Sequence, residues 1–166
     1  MMSIPEIFER AYAGERVSTD EGLKLLEEAD LFSLGALANH RKEQKNAGQE
    51  VTFVIDRNIN YTNICIYDCS FCGFYRKPGN AEGYVWSKEE IFQKIDVLRQ
   101  LGGTQVLIQG GVNPNLSIDW FVDLFKSIRD RFPEVHIHSL SPVEIEYLAR
   151  REKMTLKDVL LKLKDA

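Results

Sequence analysis

Residues 87–111 of the sequence, SKEEIFQKIDVLRQLGGTQVLIQGG, indicate one helix followed by one strand, and this pair decides the fold class. Ser87 and Glu90 form a capping box, and the apolar residues that follow recur at helical spacing. Two glycines end the helix, and residues 104–109 are a short apolar run typical of a buried strand. The stretch therefore predicts an amphipathic helix that leads the chain into a strand.

The same alternation continues on both sides of this stretch. Before it, the β-branched and aromatic run 51–55 predicts a strand that continues through Tyr61. After it, residues 118–131 predict a helix and residues 135–140 a further strand. Strands that alternate with amphipathic helices form a parallel sheet, so we expect an α/β fold with about three units of a (β/α) barrel. A closed barrel takes eight units, so the predicted barrel is incomplete.

Residues 1–50 have helical spacing and no strand signal. The pattern predicts helices after Pro5, over residues 19–28 and over residues 31–45. We therefore expect an N-terminal helical extension over residues 1–50 and the first part of a barrel over residues 51–166.

The composition is that of an ordinary globular protein, with 44% apolar and 28% charged residues among 166. A net charge of −4 and an isoelectric point near 5.5 argue against a general binder of nucleic acid or anionic membranes. No run approaches the roughly 18 apolar residues of a membrane span, and the N-terminus lacks a signal-peptide pattern. We expect a cytoplasmic protein.

All three cysteines of the chain, Cys65, Cys69 and Cys72, lie in one eight-residue run with the spacing C-x3-C-x2-C. Three clustered thiols in a cytoplasmic protein indicate metal rather than a disulfide framework. They could ligate three irons of a [4Fe–4S] cluster and leave the fourth iron open, since the chain has no fourth cysteine. The amino and carboxylate groups of S-adenosylmethionine (SAM) could chelate that open iron.

Two other interpretations of the cysteines remain open. They could be buried structural residues, or His40, His136 or His138 could complete a zinc site. Zinc sites favour paired C-x2-C knuckles, however, and no histidine lies near this run in sequence. The spacing therefore favours the iron–sulfur cluster.

The run 65–72 resembles the signature of the radical SAM superfamily, C-x3-C-x-aromatic-C. The flanks DRNINYTNI (56–64) and GFYR (73–76) are similar to a group that includes futalosine-pathway and deazaflavin-cofactor enzymes. Within it, YRKPGNAEGY (75–84) most resembles the cyclic dehypoxanthinylfutalosine synthase family of menaquinone biosynthesis, and QGG (109–111) and SPVE (141–144) fit the same family. Its members are roughly twice as long and usually carry histidine in place of Asn113.

The resemblance implies a radical-SAM enzyme that cleaves SAM to a 5′-deoxyadenosyl radical, abstracts hydrogen from the substrate ribose and closes a spirocyclic product. Two relatives stay as alternatives. Aminofutalosine synthase adds the radical to an enolpyruvyl double bond, and the deazaflavin-cofactor synthase joins a tyrosine-derived fragment to a pyrimidine.

The resemblance also suggests cofactor-binding residues. It places Phe71 beside the adenine of SAM, Gln109, Gly110 and Gly111 at the methionine moiety, and Ser141 and Glu144 at the nucleoside. The glycines and the Ser141–Glu144 pair have plain alternatives, because two glycines can simply form a βα turn and Ser141 with Glu144 is a complete capping box. No residue is identified as an acid or base.

Five polar residues near the strands are candidate substrate contacts: Asp56, Arg57, Asn60, His136 and His138. The histidines lie two apart and share one face of their strand. A satisfied core position explains the two histidines equally well, and for Asp56, Arg57 and Asn60 a polar group that only satisfies backbone is the favoured explanation.

The expected partners are a small nucleoside-type substrate and a reducing electron donor. An incomplete parallel sheet leaves an unpaired edge and, we expect, an uncovered apolar face. A dimer or a C-terminal half would cover it. The alternative from another class is a fragment without activity that depends on such a partner.

Overall fold

The computed structural model describes residues 2–46, 48 and 50–166. These residues form seven helices and three strands: α1 (Ile4–Tyr12), α2 (Thr19–Glu28), α3 (Leu31–Lys45), β1 (Asp56–Ile59), α4 (Lys88–Gln100), β2 (Gln105–Ile108), α5 (Ile118–Arg131), β3 (His136–Ser139), α6 (Pro142–Glu152) and α7 (Leu156–Lys164). They divide into two compact units, Met1–Thr52 and Phe53–Ala166. The predicted extension over 1–50 includes residues 1, 47 and 49, which lie outside the described residues.

The first unit is a small three-helix assembly. Ile7 and Ala11 of α1 pack with Leu25 and Leu37, and all four side chains are buried. Ser3 and Ser18 cap the first two helices through capping boxes, and Asp30 caps α3. Each of these starts is a local sequence signal.

The second unit contains a parallel sheet with the order β1-β2-β3. Helices α4 and α5 connect consecutive strands, so the strand order is that of a (β/α) barrel that has not closed. This confirms the predicted α/β fold. Helix α5 has the predicted bounds, whereas β2 and β3 are each shorter than predicted by a residue at either end.

The predicted first strand is wrong over residues 51–55, which form no strand. The side chains of Val51 and Phe53 are 82% and 85% exposed. Strand β1 begins at Asp56 because its neighbour begins opposite it, at Gln105. Residues 51–55 have high β propensity but no partner strand. Their one backbone bond toward β2 is the one that the Thr104 amide donates to the Ile55 carbonyl.

The two faces of the sheet differ in chemistry. Residues in register point to the same face, so Ile59, Val106 and Ile108 lie together under α4 and α5 and are fully buried. The other face, here called the open face, carries five polar side chains and one leucine: Asp56, Asn58, Gln105, Leu107, His136 and His138. For this face of the sheet the expectation of an uncovered apolar surface is therefore wrong, because polar side chains alternate with the apolar ones that meet the helices.

Candidate functional site

Three segments of the predicted site meet at the carboxyl edge of the sheet. The cysteine run follows β1, Gly110 and Gly111 follow β2, and Ser141 follows β3. Because the strands are parallel, their carboxyl ends lie side by side. This is the edge at which (β/α) barrels place their active sites.

The cysteine loop is closed at its base by backbone hydrogen bonds. The Cys65 amide donates to the Arg76 carbonyl (2.9 Å), and the Arg76 amide donates to the Asn63 carbonyl (2.7 Å). The buried Asn63 side chain also bonds the far end of the loop, donating to the Glu82 carbonyl (3.0 Å) and accepting from the Tyr84 amide (2.8 Å). Sequence reasoning missed Asn63, because the two backbone groups that its side-chain amide binds lie 19 and 21 residues away.

Thr62 connects this base to the loop after β2. Its hydroxyl is fully buried, donates to the Tyr84 carbonyl (2.5 Å) and accepts from the Asn113 side chain (3.3 Å). Asn113 is itself buried, and its side-chain oxygen accepts from the Asn115 amide (3.0 Å). Asn113, where the resemblance predicts a histidine, thus has a structural position beneath the loop.

Gly110 and Gly111 are required by the close approach of the chain itself. A Cβ on Gly110 would lie 2.9 Å from the Thr62 carbonyl oxygen, and one on Gly111 would overlap the Ile64 carbonyl. The Gly111 amide donates to the Thr62 carbonyl (2.9 Å), and the Ile66 amide donates to the Val112 carbonyl (3.0 Å). We call residues 61–66 and 110–112 the loop junction. A SAM contact at these glycines stays a prediction.

The three cysteines are free thiols on this loop, with Cys65 and Cys72 half-buried and Cys69 exposed. Cys65 Sγ accepts a hydrogen bond from the Val112 amide (3.3 Å), and the Cys72 amide donates to the Cys69 carbonyl (3.0 Å). Within residues 2–46, 48 and 50–166, no three His, Cys, Asp or Glu side chains are grouped closely enough to hold a metal ion.

The donor set nevertheless fits an iron–sulfur cluster. Three unpaired thiols lie within eight residues on a loop whose base is clamped, and one already accepts an amide hydrogen bond of the kind that tunes cluster sulfurs. The middle of the loop is held from outside, since Arg150 donates to the Tyr67 hydroxyl (2.8 Å) and Lys77 to the Ile66 carbonyl (3.1 Å).

Glu144 is the most connected side chain at this edge. It is 4% exposed, and its Oε1 accepts from the Tyr61 hydroxyl (2.6 Å) and the Gly110 amide (3.2 Å). Its Oε2 accepts from the Ser141 amide (2.6 Å) and hydroxyl (2.7 Å). Burial, followed by the adjacent Glu144 carboxylate, raises the pKa of Tyr61 far above its ordinary value. The predicted nucleoside contacts Ser141 and Glu144 therefore have protein partners in this structure.

The other predicted residues are placed separately. Phe71 is 90% exposed on the cysteine loop. Asp56, His136 and His138 are exposed on the open face, and the Asn60 side chain donates to the Gln109 carbonyl (2.9 Å). Arg57 lies on the helix-covered face, away from the other four substrate candidates. His40, in the first unit, contacts Gln44 (2.8 Å) and the Tyr12 carbonyl (3.3 Å).

Comparisons with known proteins show the family of the chain. Residues 59–166 match the model of the radical SAM superfamily. The chain is 45% identical, over 99% of its length, to a cyclic dehypoxanthine futalosine synthase of Halalkalibacterium halodurans. It is 34% identical, over 99% of its length, to a 5-amino-6-(D-ribitylamino)uracil–L-tyrosine 4-hydroxyphenyl transferase of Nostoc punctiforme. In both cases it covers 45% of the relative, so the chain spans about half the length of the curated relatives it matches.

A solved structure supports the fold. The crystal structure of HydG, a maturase of the [FeFe]-hydrogenase, superposes with a TM-score of 0.64 at 22% identity, over 89% of this chain and 35% of that one. Separately, none of the helices in the described part of the chain combines the length and apolar character needed to cross a bilayer.

Proposed function

We propose, since this chain belongs to the radical SAM superfamily, that it forms the cluster- and SAM-binding half of an enzyme that cyclises dehypoxanthinylfutalosine in menaquinone biosynthesis. The observation that carries the specific reaction is the higher identity to a relative named as that synthase, 45% against 34% and 37% for two relatives named as the tyrosine transferase. The clamped cysteine loop at the carboxyl edge of the sheet supports the chemistry.

In this proposal Cys65, Cys69 and Cys72 hold three irons of a [4Fe–4S] cluster. Together with SAM, such a cluster supplies a 5′-deoxyadenosyl radical for hydrogen abstraction. The chain's own residues position and shield it. The Val112 amide donates to the first ligand, and exposed Phe71 is available to cover the adenine.

We assign the nucleoside-type substrate to the open face. His138 on this face, and Asn60 just beyond β1 with its side chain 3.4 Å from that of Asn58, lie on the barrel-interior side of a sheet whose other side is packed against helices. Asp56 and His136 lie at the starts of β1 and β3, farthest from the carboxyl edge, and Arg57 lies on the covered face, so none of the three belongs to this set.

A complementary half is part of the proposal. Strand β3 has no neighbour on its outer side within the described residues, and beside it lies an apolar groove of about 280 Å³ lined by Phe125, Ile137, Leu140, Ile145 and Leu163. A further βα unit would pair with β3 and fill this groove. We also propose a cytoplasmic setting, because reduced thiols persist there, and an external one-electron donor.

The experiment is anaerobic reconstitution with iron and sulfide, followed by EPR of the reduced protein with and without SAM. A [4Fe–4S]⁺ signal that changes on addition of SAM is expected, and C69A is the matched variant that should lose it. Absence of a cluster, or zinc in its place, would contradict the proposal.

The tyrosine transferase reaction is the second candidate, because that relative is covered to the same extent. Turnover assays distinguish the two when the chain is supplied with a complementary half. The first function predicts consumption of dehypoxanthinylfutalosine, and the second predicts consumption of tyrosine with the ribitylaminouracil.

A further inference from the structure

Glu144 makes contacts that helix capping does not explain. It is the N3 residue of the capping box that begins α6, a box that uses one carboxylate oxygen to bind the Ser141 amide and hydroxyl. The other oxygen accepts from Tyr61, which follows β1, and from Gly110, which follows β2. One buried side chain therefore connects the carboxyl ends of all three strands.

The capping box of α4 provides an internal reference. Glu90 accepts from the Ser87 amide (2.8 Å) and hydroxyl (2.8 Å) in the same way, but its carboxylate is exposed. All hydrogen bonds of this carboxylate within the described residues are made with Ser87. Capping therefore requires neither burial of the carboxylate nor a second set of donors. It does not account for the contacts of Glu144 with Tyr61 and Gly110.

The role of these two contacts follows from where Tyr61 and Gly110 lie in the loop junction. Each is the first residue of one side of the loop junction, 61–66 and 110–112. Two backbone bonds join these sides, and the Val112 amide then donates to Cys65 Sγ (3.3 Å). Tyr61 is held in turn by edge-to-face packing on Phe121, with ring centroids 5.3 Å apart. Fixing the two starting residues fixes the relative position of the Val112 amide and the first cysteine.

We propose that Glu144 is a positioning residue for the cysteine site: by binding Tyr61 and Gly110 together it sets the hydrogen bond from the Val112 amide to Cys65 Sγ. This inference rests on the proposed cluster for its redox consequence. An amide that donates to a cluster sulfur stabilises the more negative, reduced state, so it raises the reduction potential.

The first test needs no cluster. Amide hydrogen exchange is followed by NMR in the cluster-free chain for wild type, E144Q and the control E90Q. Glutamine cannot accept from all four donors, since one of its two terminal atoms is itself a donor. We expect exchange at Val112 to be roughly tenfold faster in E144Q, as for the loss of one hydrogen bond. In E90Q it should match wild type.

The second test measures the midpoint potential of the reconstituted protein by EPR-monitored titration. We expect a negative shift in E144Q, a smaller negative shift in Y61F and no shift in E90Q. The inference is overturned if E144Q has the wild-type exchange rate at the Val112 amide and the wild-type midpoint potential. If E144Q does not fold, Y61F replaces it in both tests, because phenylalanine keeps the ring packing and removes only the hydroxyl.

The two proposals fail separately. A wild-type chain that assembles no cluster overturns the proposed function, while the exchange at Val112 still decides whether Glu144 positions the loop junction.

Discussion

The twelve residues of the three strands point alternately to two faces of the sheet, and the two faces have different roles. The covered face presents Ile59, Val106 and Ile108 to α4 and α5, and these side chains are removed from water. The open face presents Asp56, Asn58 and His138, which remain exposed. Stability is therefore concentrated on one face, while the other is free to carry polar groups that a packed core would exclude. The predictions below test how complete this separation is.

The largest effect is expected from Ile108→Ala on the covered face. Ile108 is fully buried, so truncation should lower the free energy of unfolding by about 3 kcal/mol through lost burial and the cavity that remains. Urea denaturation measures this value. Leu107→Ala, at the adjacent residue of the same strand but on the open face, should lower the free energy of unfolding by less than half as much. Equal losses would show that the open face is also a packed surface.

The second prediction concerns the carboxyl edge, where the two faces end. Gly111→Ala should lower the free energy of unfolding by about 2 kcal/mol, because its Cβ would overlap the backbone of Ile64. Gly73→Ala is the control, since a Cβ there meets nothing within 4 Å. Similar denaturation midpoints for the two variants would be inconsistent with a tight loop junction.

The third prediction is that the free energy of unfolding depends on pH through the buried hydroxyl of Tyr61, on the covered side of the sheet. Burial raises the pKa of Tyr61 above its ordinary value of 10.0, so the folded chain keeps the hydroxyl proton when the unfolded chain loses it. The unfolded state then binds fewer protons, and stability falls as pH rises above about 10. Wild type should lose about 1 kcal/mol more than Y61F over the next pH unit. Parallel pH profiles for the two proteins would contradict this assignment.

The smallest effect is expected on the open face itself. His136→Ala and His138→Ala should each change the free energy of unfolding by less than about 0.5 kcal/mol, because both side chains are exposed. In the reconstituted enzyme His138→Ala should weaken substrate binding, whereas His136→Ala should not. A large loss of stability in either variant would assign these histidines to the core.

Features with a local cause were predictable from the sequence. Helix α5 begins after Ser117 and ends at Arg131 as its apolar spacing indicates, because capping and periodicity act within a few residues. The fold class followed from the same local signals, since alternating helices and strands allow few arrangements.

Features with a distant cause were not predictable. The run 51–55 has the residue types of a strand, but a strand also needs a neighbour, and β2 begins only opposite Asp56. Glu144 was recognised as a capping residue, yet its second set of partners lies 34 and 83 residues away. For Gly110 and Gly111, sequence reasoning considered a turn or a ligand, whereas the closest atoms belong to the chain's own residues 61–65.

The strand order β1-β2-β3 has a consequence for synthesis on the ribosome. Each new strand pairs with the one made just before it, so β2 finds its partner already outside the exit tunnel, and β3 finds β2 there. Of these three strands, none waits for a later one to be inserted beside it. The sheet can therefore grow one unit at a time in the direction of translation, and the edge that accepts each new strand moves forward as the chain lengthens.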